Sequence, residues 1–168
     1  GLSSEKHLYL GLPKYDYLSD DRKYKKNSVV VFYPRLRDHN KMNIALIYEW
    51  LKKLDYNIIV KSRGKDPIPD NLCGDERYYD GDWYPNISLE LIRDCEFIIN
   101  FSSTTIKECV MLNTPLINFH IKPFPSLLGM LHNYKFCYDL NPSCSEEEFS
   151  KAVDEIKSSD YSLEFKKA

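Results

Sequence analysis

The sequence predicts a Rossmann-like, three-layer α/β domain with a mostly parallel sheet between layers of helices. Three observations carry this. Short apolar runs without polar alternation recur, as in Ser28–Tyr33 (SVVVFY) and Asn57–Val60 (NIIV), and such runs mark strands buried on both faces. Helical segments of roughly 10–15 residues separate them, which is the rhythm of β-α-β units. The chain's 168 residues fit one domain large enough to bury a core between layers.

Taken in order, residues 1–27 are polar and aromatic with a Gly11-Leu12-Pro13 break. They read as a linker and lead-in, so the domain is expected over 28–168. Pro34 ends the first strand. Asn40 or a neighbour caps a helix to about Leu54, with Ile44, Ile47, Trp50 or Leu51, and Leu54 as its apolar stripe. Strand Asn57–Val60 follows, then Lys61-Ser62-Arg63-Gly64-Lys65 at its end. Residues 66–85 are irregular, punctuated by Pro and Gly, with a brief strand near Arg77–Tyr79. Ser88 caps a short helix through Arg93 that leads into strand Glu96–Phe101. Ser102 to Thr105 start another helix, Glu108 lies a turn into it, and Thr114-Pro115 stops it before strand Leu116–Phe119. Pro123 and Pro125 bracket a loop, Ser126–Leu131 form a short helix, and Lys135–Tyr138 form a last strand. Ser145 and Glu148 have capping-box spacing and open a helix to about Ser158.

The formal charge of −2 provides no global field to recruit nucleic acid or an acidic membrane, so no nucleic-acid partner is expected. No apolar run approaches the roughly 20 residues that span a bilayer, so no transmembrane segment is expected. The opening GLSSEKHLYLGLP lacks the basic-then-apolar layout of a signal peptide. The cysteines Cys73, Cys95, Cys109, Cys137 and Cys144 are odd in number and form no C-x-x-C pair. That fits neither a zinc nor a disulfide framework and implies a reducing, cytoplasmic setting. Cys95 and Cys109 read as small core residues. The histidines are scattered without ligand spacing, so neither a metal nor a cofactor is expected. G-x-G-x-x-G, G-x-x-x-x-G-K-[ST] and G-x-S-x-G are all absent. Dinucleotide-binding Rossmann domains, P-loop NTPases and α/β-hydrolases are thereby disfavoured.

In open parallel sheets ligands sit beyond the carboxyl ends of the strands, where the strand order reverses. Three polar clusters fall just after predicted strand ends: Arg35, Arg37 and His39; Lys61, Arg63 and Lys65; and Ser102, Ser103, Thr104 and Thr105 with Glu108. Two cationic clusters beside a hydroxyl-rich helix start suit a diphosphate, which cations neutralise and helix-start N–H groups orient. Glu108 is placed to accept hydrogen bonds from a sugar diol. Each cluster alone also reads blandly, as a solvated turn, a solvated loop or an ordinary N-cap. Asp80, Asp82 and Trp83 form a D-x-D patch that reads more readily as a turn than as a metal site, and His120 reads as a ligand contact or a structural histidine.

The order of these motifs resembles the C-terminal, nucleotide-sugar-binding half of GT-B enzymes. Leu10-Gly11-Leu12-Pro13-Lys14-Tyr15-Asp16 is similar to their G-x-P-[KR]-x-D entry segment. Cys95 to Pro115 is similar to their D-x-x-I-x-x-x-S-S-x-x-x-E-x-x-x-x-x-x-P block, with Glu96 close to the Asp. The likeness covers roughly residues 8–157 and is strongest from Glu96 to Phe119. The families it suggests are nucleotide-sugar glycosyltransferases, hydrolysing UDP-N-acetylglucosamine 2-epimerases and CDP-glycerol glycerophosphotransferases. The chain departs from them at Glu108-Cys109, at Asn113-Thr114-Pro115 and at Ser62-Arg63. The resemblance implies that Ser102, Ser103 and Thr104 meet a donor diphosphate, that Arg35, Lys61 and Arg63 lie near the phosphates, and that Glu108 binds the ribose. It implies a UDP- or CDP-linked sugar as ligand, surface glycan or polysaccharide biosynthesis as setting, and a missing N-terminal acceptor domain as partner. A lone half is expected to bind without efficient turnover, because catalysis needs both substrates positioned together. The rival reading is a non-catalytic nucleotide- or phosphate-binding module that works with a partner chain.

Overall fold

The structure, a computed structural model, describes residues 25–35, 38, 42–62, 67–79, 86–121 and 135–161. Among them the elements run β1 (Ser28–Phe32), α1 (Ile44–Lys53), β2 (Asn57–Ser62), a 3-10 turn (Asp70–Leu72), β3 (Glu76–Tyr79), α2 (Asn86–Asp94), β4 (Phe97–Asn100), α3 (Ile106–Met111), β5 (Leu116–Phe119), β6 (Cys137–Leu140) and α4 (Glu146–Ser158). The strands form one six-stranded sheet in the order β3-β2-β1-β4-β5-β6. Every described pairing is parallel. The order reverses between β1 and β4, which sit side by side although two strands separate them in sequence.

The alternation of side chains along each strand divides the core in two. One face carries Val29, Val31, Ile58, Val60, Phe97 and Ile99, packed under α1 and α4. The other carries Val30, Ile59, Ile98 and Leu116, packed under Ile92 of α2 and Ile106 and Cys109 of α3. Apolar side chains on both faces of β1, β4 and β5 explain why their sequences lack polar alternation. Trp50 of α1 lies 5.4 Å from Phe149 of α4, and Phe149 stacks in turn on Phe119 at 6.3 Å.

Several boundaries differ from expectation, each for a local reason. The cap of α1 is Asn43, whose side chain accepts from the Leu46 N–H; Asn40 lies outside the described residues. Lys61 and Ser62 belong to β2 because they pair with Tyr78 and Tyr79 of β3. Helix α2 starts at Asn86, which places Ser88 inside it as a buried residue. Strand β6 starts at Cys137; Phe136 before it is buried in the core, and its carbonyl accepts from the Leu116 N–H. The capping box of α4 forms as read: Ser145 Oγ accepts from Glu148 N, and Glu148 Oε2 accepts from Ser145 N. The short helix expected at Ser126–Leu131 and most of the lead-in lie outside the described residues.

At the amino ends of the strands, Glu96 accepts from the Asn27 N–H at 2.9 Å and from the Tyr56 hydroxyl at 2.8 Å. The acidic position that opens the sequence block therefore ties the entry of β1 to that of β2. All five cysteines are free. Burial pushes the Cys109 thiol well above its ordinary range, which keeps it protonated and inert.

Candidate functional site

Strand register assembles a row of side chains along the carboxyl edge, on the face covered by α2 and α3. Tyr78 of β3 pairs with Lys61 of β2, and Lys61 pairs with Phe32 of β1. Val31 opposite Ile99 brings Phe32 beside Asn100. Asn100, Asn118 and Asp139 then lie opposite one another on β4, β5 and β6. One residue-pair further back, the same face is apolar, with Ile98, Leu116 and Cys137. The last layer of this face thus changes from hydrocarbon to hydrogen-bonding groups where a parallel sheet presents its ligand crevice.

A buried network joins three of these strands. Asn100 and Asn118 are both at 0% exposure, so their amides must find partners inside the protein. Asn118 Oδ1 accepts from Asn100 Nδ2 at 2.8 Å and from the Ser102 N–H at 2.9 Å. Asn118 Nδ2 donates to Asp139 Oδ1 at 2.6 Å. The other oxygen of Asp139 lies 3.0 Å from His120 Nδ1. Asn100 Nδ2 also donates to the Ser103 carbonyl, while its Oδ1 is a buried acceptor with no donor among the described residues.

Ser102 is the pivot of the loop that leaves β4. Its φ of 48° is left-handed, a conformation costly for a non-glycine residue unless its surroundings hold it. They do so here from both sides. Its N–H is bound by Asn118, and its hydroxyl donates to the Phe119 carbonyl and accepts from the Ile121 N–H. Ser102 is therefore a clasp between β4 and β5, and 5% exposed. Ser103 is half-buried with its hydroxyl 3.1 Å from that of Thr105, and Thr104 is exposed. Thr105 makes no side-chain capping bond, and α3 spans six residues. The amides of Ile106 and Lys107 bond the carbonyls of Ser103 and Thr104. Glu108 sits half-buried in the first turn of α3.

The remaining expected residues divide. Arg35 is exposed just past β1, where its carbonyl accepts from the Asp38 N–H in a tight turn. Lys61 is 2% exposed, with Nζ donating to the Ser62 carbonyl at 3.0 Å. Beside it Tyr33, whose N–H bonds the Lys61 carbonyl, has its hydroxyl pushed up to about 12, first by burial and then by Cys73. The fold thus brings Arg35, Lys61, Ser102, Ser103 and Thr104 to one edge of the sheet. Arg37, His39, Arg63, Lys65, Asp80, Asp82 and Trp83 lie outside the described residues. No group of three or more His, Cys, Asp or Glu side chains suited to a metal occurs among the described residues. Two grooves elsewhere, of about 790 Å³ beside Tyr48 and Gly74 and about 290 Å³ beside Ser28 and Ile87, include none of Arg35, Lys61, Ser102, Ser103, Thr104 and Glu108 in their lining.

Sequence reading passed over Asn118 and Asp139. A signal was present: FIIN and LINF each place an Asn in an otherwise apolar strand. A polar side chain in a strand buried on both faces needs an internal partner.

The described architecture is that of a Rossmann-like α/β domain of the GT-B glycosyltransferase type. Solved structures that share it include a glycotransferase of kitacinnamycin (TM-score 0.58, 11% identity, covering 88% of this chain and 40% of that one). They include the ADP-heptose LPS heptosyltransferase II of E. coli (TM-score 0.57, 15% identity, covering 84% and 50%). A third is the glycosyltransferase SnogD from Streptomyces nogalater (TM-score 0.53, 13% identity, covering 88% and 42%). At these identities the likeness is one of fold. The chain spans half or less of the length of each of these chains. No family model and no curated protein sequence matches it. No helix among the described residues is long and apolar enough to cross a membrane.

Proposed function

We propose that this chain is the donor half of a two-domain GT-B-type glycosyltransferase or related epimerase, binding a UDP- or CDP-linked sugar. The observation that carries the reading is the carboxyl edge at the β1/β4 reversal, where a buried Lys61 and an exposed Arg35 share an edge with the Ser102–Thr104 loop. Its support is the shared fold with glycosyltransferases, of which the chain spans about half. In this reading Arg35, Lys61 and Arg63 neutralise the diphosphate. Ser103 and Thr104 meet it, Ser102 shapes their loop, and Glu108 receives the ribose hydroxyls. As the sugar bond breaks, charge grows on the nucleotide diphosphate, and fixed cations and dipoles stabilise it without a metal. An N-terminal domain supplies the acceptor, within surface glycan or polysaccharide synthesis in the reducing cytoplasm that five free thiols suit.

Calorimetric titration with UDP, CDP, GDP, ADP and their sugar conjugates tests this. Saturable binding of one nucleotide, weakened at least tenfold by Glu108→Ala, is expected. Absence of binding by every nucleotide sinks the reading.

A further inference from the structure

We infer that Asn118 is a positioning residue for the candidate phosphate loop, acting through Ser102, whose left-handed turn it holds. This rests on the donor-half reading for the identity of the ligand. Among the described residues the chain turns left-handed at Asn27, Asp55, Gly74, Ser102 and Asn113. Gly, Asn and Asp visit that region readily, whereas a serine stays there only when its surroundings hold it. Asn27, Asp55, Gly74 and Asn113 lie in the connections that enter β1, β2, β3 and β5. Ser102 is the one of the five that follows a strand, at the carboxyl edge beside the β1/β4 reversal. The costly turn therefore falls where the sheet presents its ligand crevice.

Both ends of the Asn118 amide fit it to this task. A carboxylate only accepts hydrogen bonds, and a backbone N–H only donates. With Nδ2 2.6 Å from Asp139 Oδ1, and Oδ1 2.9 Å from the Ser102 nitrogen, the amide has one orientation. Asp139 thereby aims the acceptor that the Ser102 N–H meets. Asn100 must follow. Its Nδ2 turns to Asn118 at 2.8 Å and to the Ser103 carbonyl, which leaves its Oδ1 buried with no donor among the described residues. A serine held left-handed and an acceptor left without a donor both cost folding free energy. The two meet in one hydrogen-bonded frame, immediately before Ser103 and Thr104. Such a frame fixes the loop before an anion arrives, so its dipoles need no reorganisation on binding.

Calorimetric titration of this chain with inorganic pyrophosphate and with UDP, CDP, GDP and ADP tests the assignment. Ser102→Gly and Ser102→Ala both lose the hydroxyl, but only glycine takes the left-handed turn freely. Ser102→Gly is expected to keep affinity for the ligand that binds within threefold, and Ser102→Ala to lose at least tenfold. Asn118→Ser is expected to lose at least tenfold, and adding Ser102→Gly to it to restore affinity to within threefold of the wild type. The added glycine removes the hydroxyl's bonds to Phe119 and Ile121. The urea midpoint is therefore expected not to recover with the affinity, which separates positioning from stability. In the wild-type chain the Ser102 amide proton is expected to exchange at least a hundredfold more slowly than an unprotected amide. Should Asn118→Ser not fold, the Ser102 pair and this exchange rate decide. Equal affinities of the glycine and alanine variants, no rescue of a folded Asn118→Ser, or unprotected exchange at Ser102 each overturn the assignment. If pyrophosphate binds and no nucleotide does, the donor-half reading fails and the same variants decide on pyrophosphate. If neither binds, both readings fail.

Discussion

The two ends of this sheet use the same kinds of side chain for opposite purposes. At the amino ends, Glu96 spends both oxygens on the Asn27 N–H and the Tyr56 hydroxyl. Asp75 is likewise consumed by the Ile58 N–H and Lys52. These carboxylates close on the protein's own loops. At the carboxyl ends the chain of amides and carboxylate starts at the fully buried Asn100 and finishes at the exposed ring of His120. A polar network that closes on itself supports the fold, and one that ends at the surface also offers a group to a ligand. The contrast shows where to look for chemistry in a sheet whose strands are alike at both ends.

Removing Asn118 is the severest way to break the contrast. Asn118→Leu removes an acceptor from the Ser102 N–H and from Asn100 Nδ2, and a donor from Asp139. At about 1–3 kcal/mol for each unsatisfied group, a loss of roughly 3 kcal/mol or more is expected, read as a lower urea midpoint. Glu96→Ala comes next, with about 1–3 kcal/mol lost as the Asn27 N–H and the Tyr56 hydroxyl lose this acceptor and nucleotide affinity changed less than twofold. An affinity loss comparable to that of Glu108→Ala would show that the amino end is coupled to the site.

Acid titration sharpens the comparison further. Partial burial raises the Asp75 carboxyl, but the Lys52 and Ile58 hydrogen bonds outweigh it and hold it below its ordinary 3.8. A folded-state value below the unfolded one stabilises the protein above that unfolded value and loses the contribution as pH falls through the folded one. Asp75→Asn is therefore expected to flatten the fall in stability below about pH 4 and to leave the slope above pH 6 unchanged, as read by denaturation midpoints across pH. The smallest effect belongs to His120→Gln. Exposed, with its ring bonded to Asp139 alone among the described residues, it is expected to shift stability by no more than about 0.5 kcal/mol. A larger loss would make it part of the frame.

How much of this was legible in the sequence follows from what each feature depends on. SVVVF, FIIN and LINF declare buried strands by composition alone, and the Ser145–Glu148 spacing declares its helix start. The polar row depends on register: only the pairing of β4 with β5 and β5 with β6 places Asn100, Asn118 and Asp139 side by side, across 39 positions of chain from Asn100 to Asp139. Residue types do not encode that alignment. For the Ser102–Thr105 run, the structure departs from the ordinary N-cap reading. Its hydroxyls suggest a helix cap, yet the left-handed turn at Ser102 sends the first of them backward to β5, and α3 starts without one.

Helix α4 covers the face that α1 begins. Lys53 meets Glu146 across 93 positions of sequence, and Trp50 and Phe119 share Phe149 as a neighbour. At synthesis rates of about 5–20 residues per second, the α1 side of the sheet waits roughly 5 to 20 s on the ribosome for its last cover. For that interval Trp50, Leu51 and the first strands present an open apolar slab to the cell. A truncation before residue 146 makes the exposure permanent, and such a chain becomes a client for chaperones and proteases.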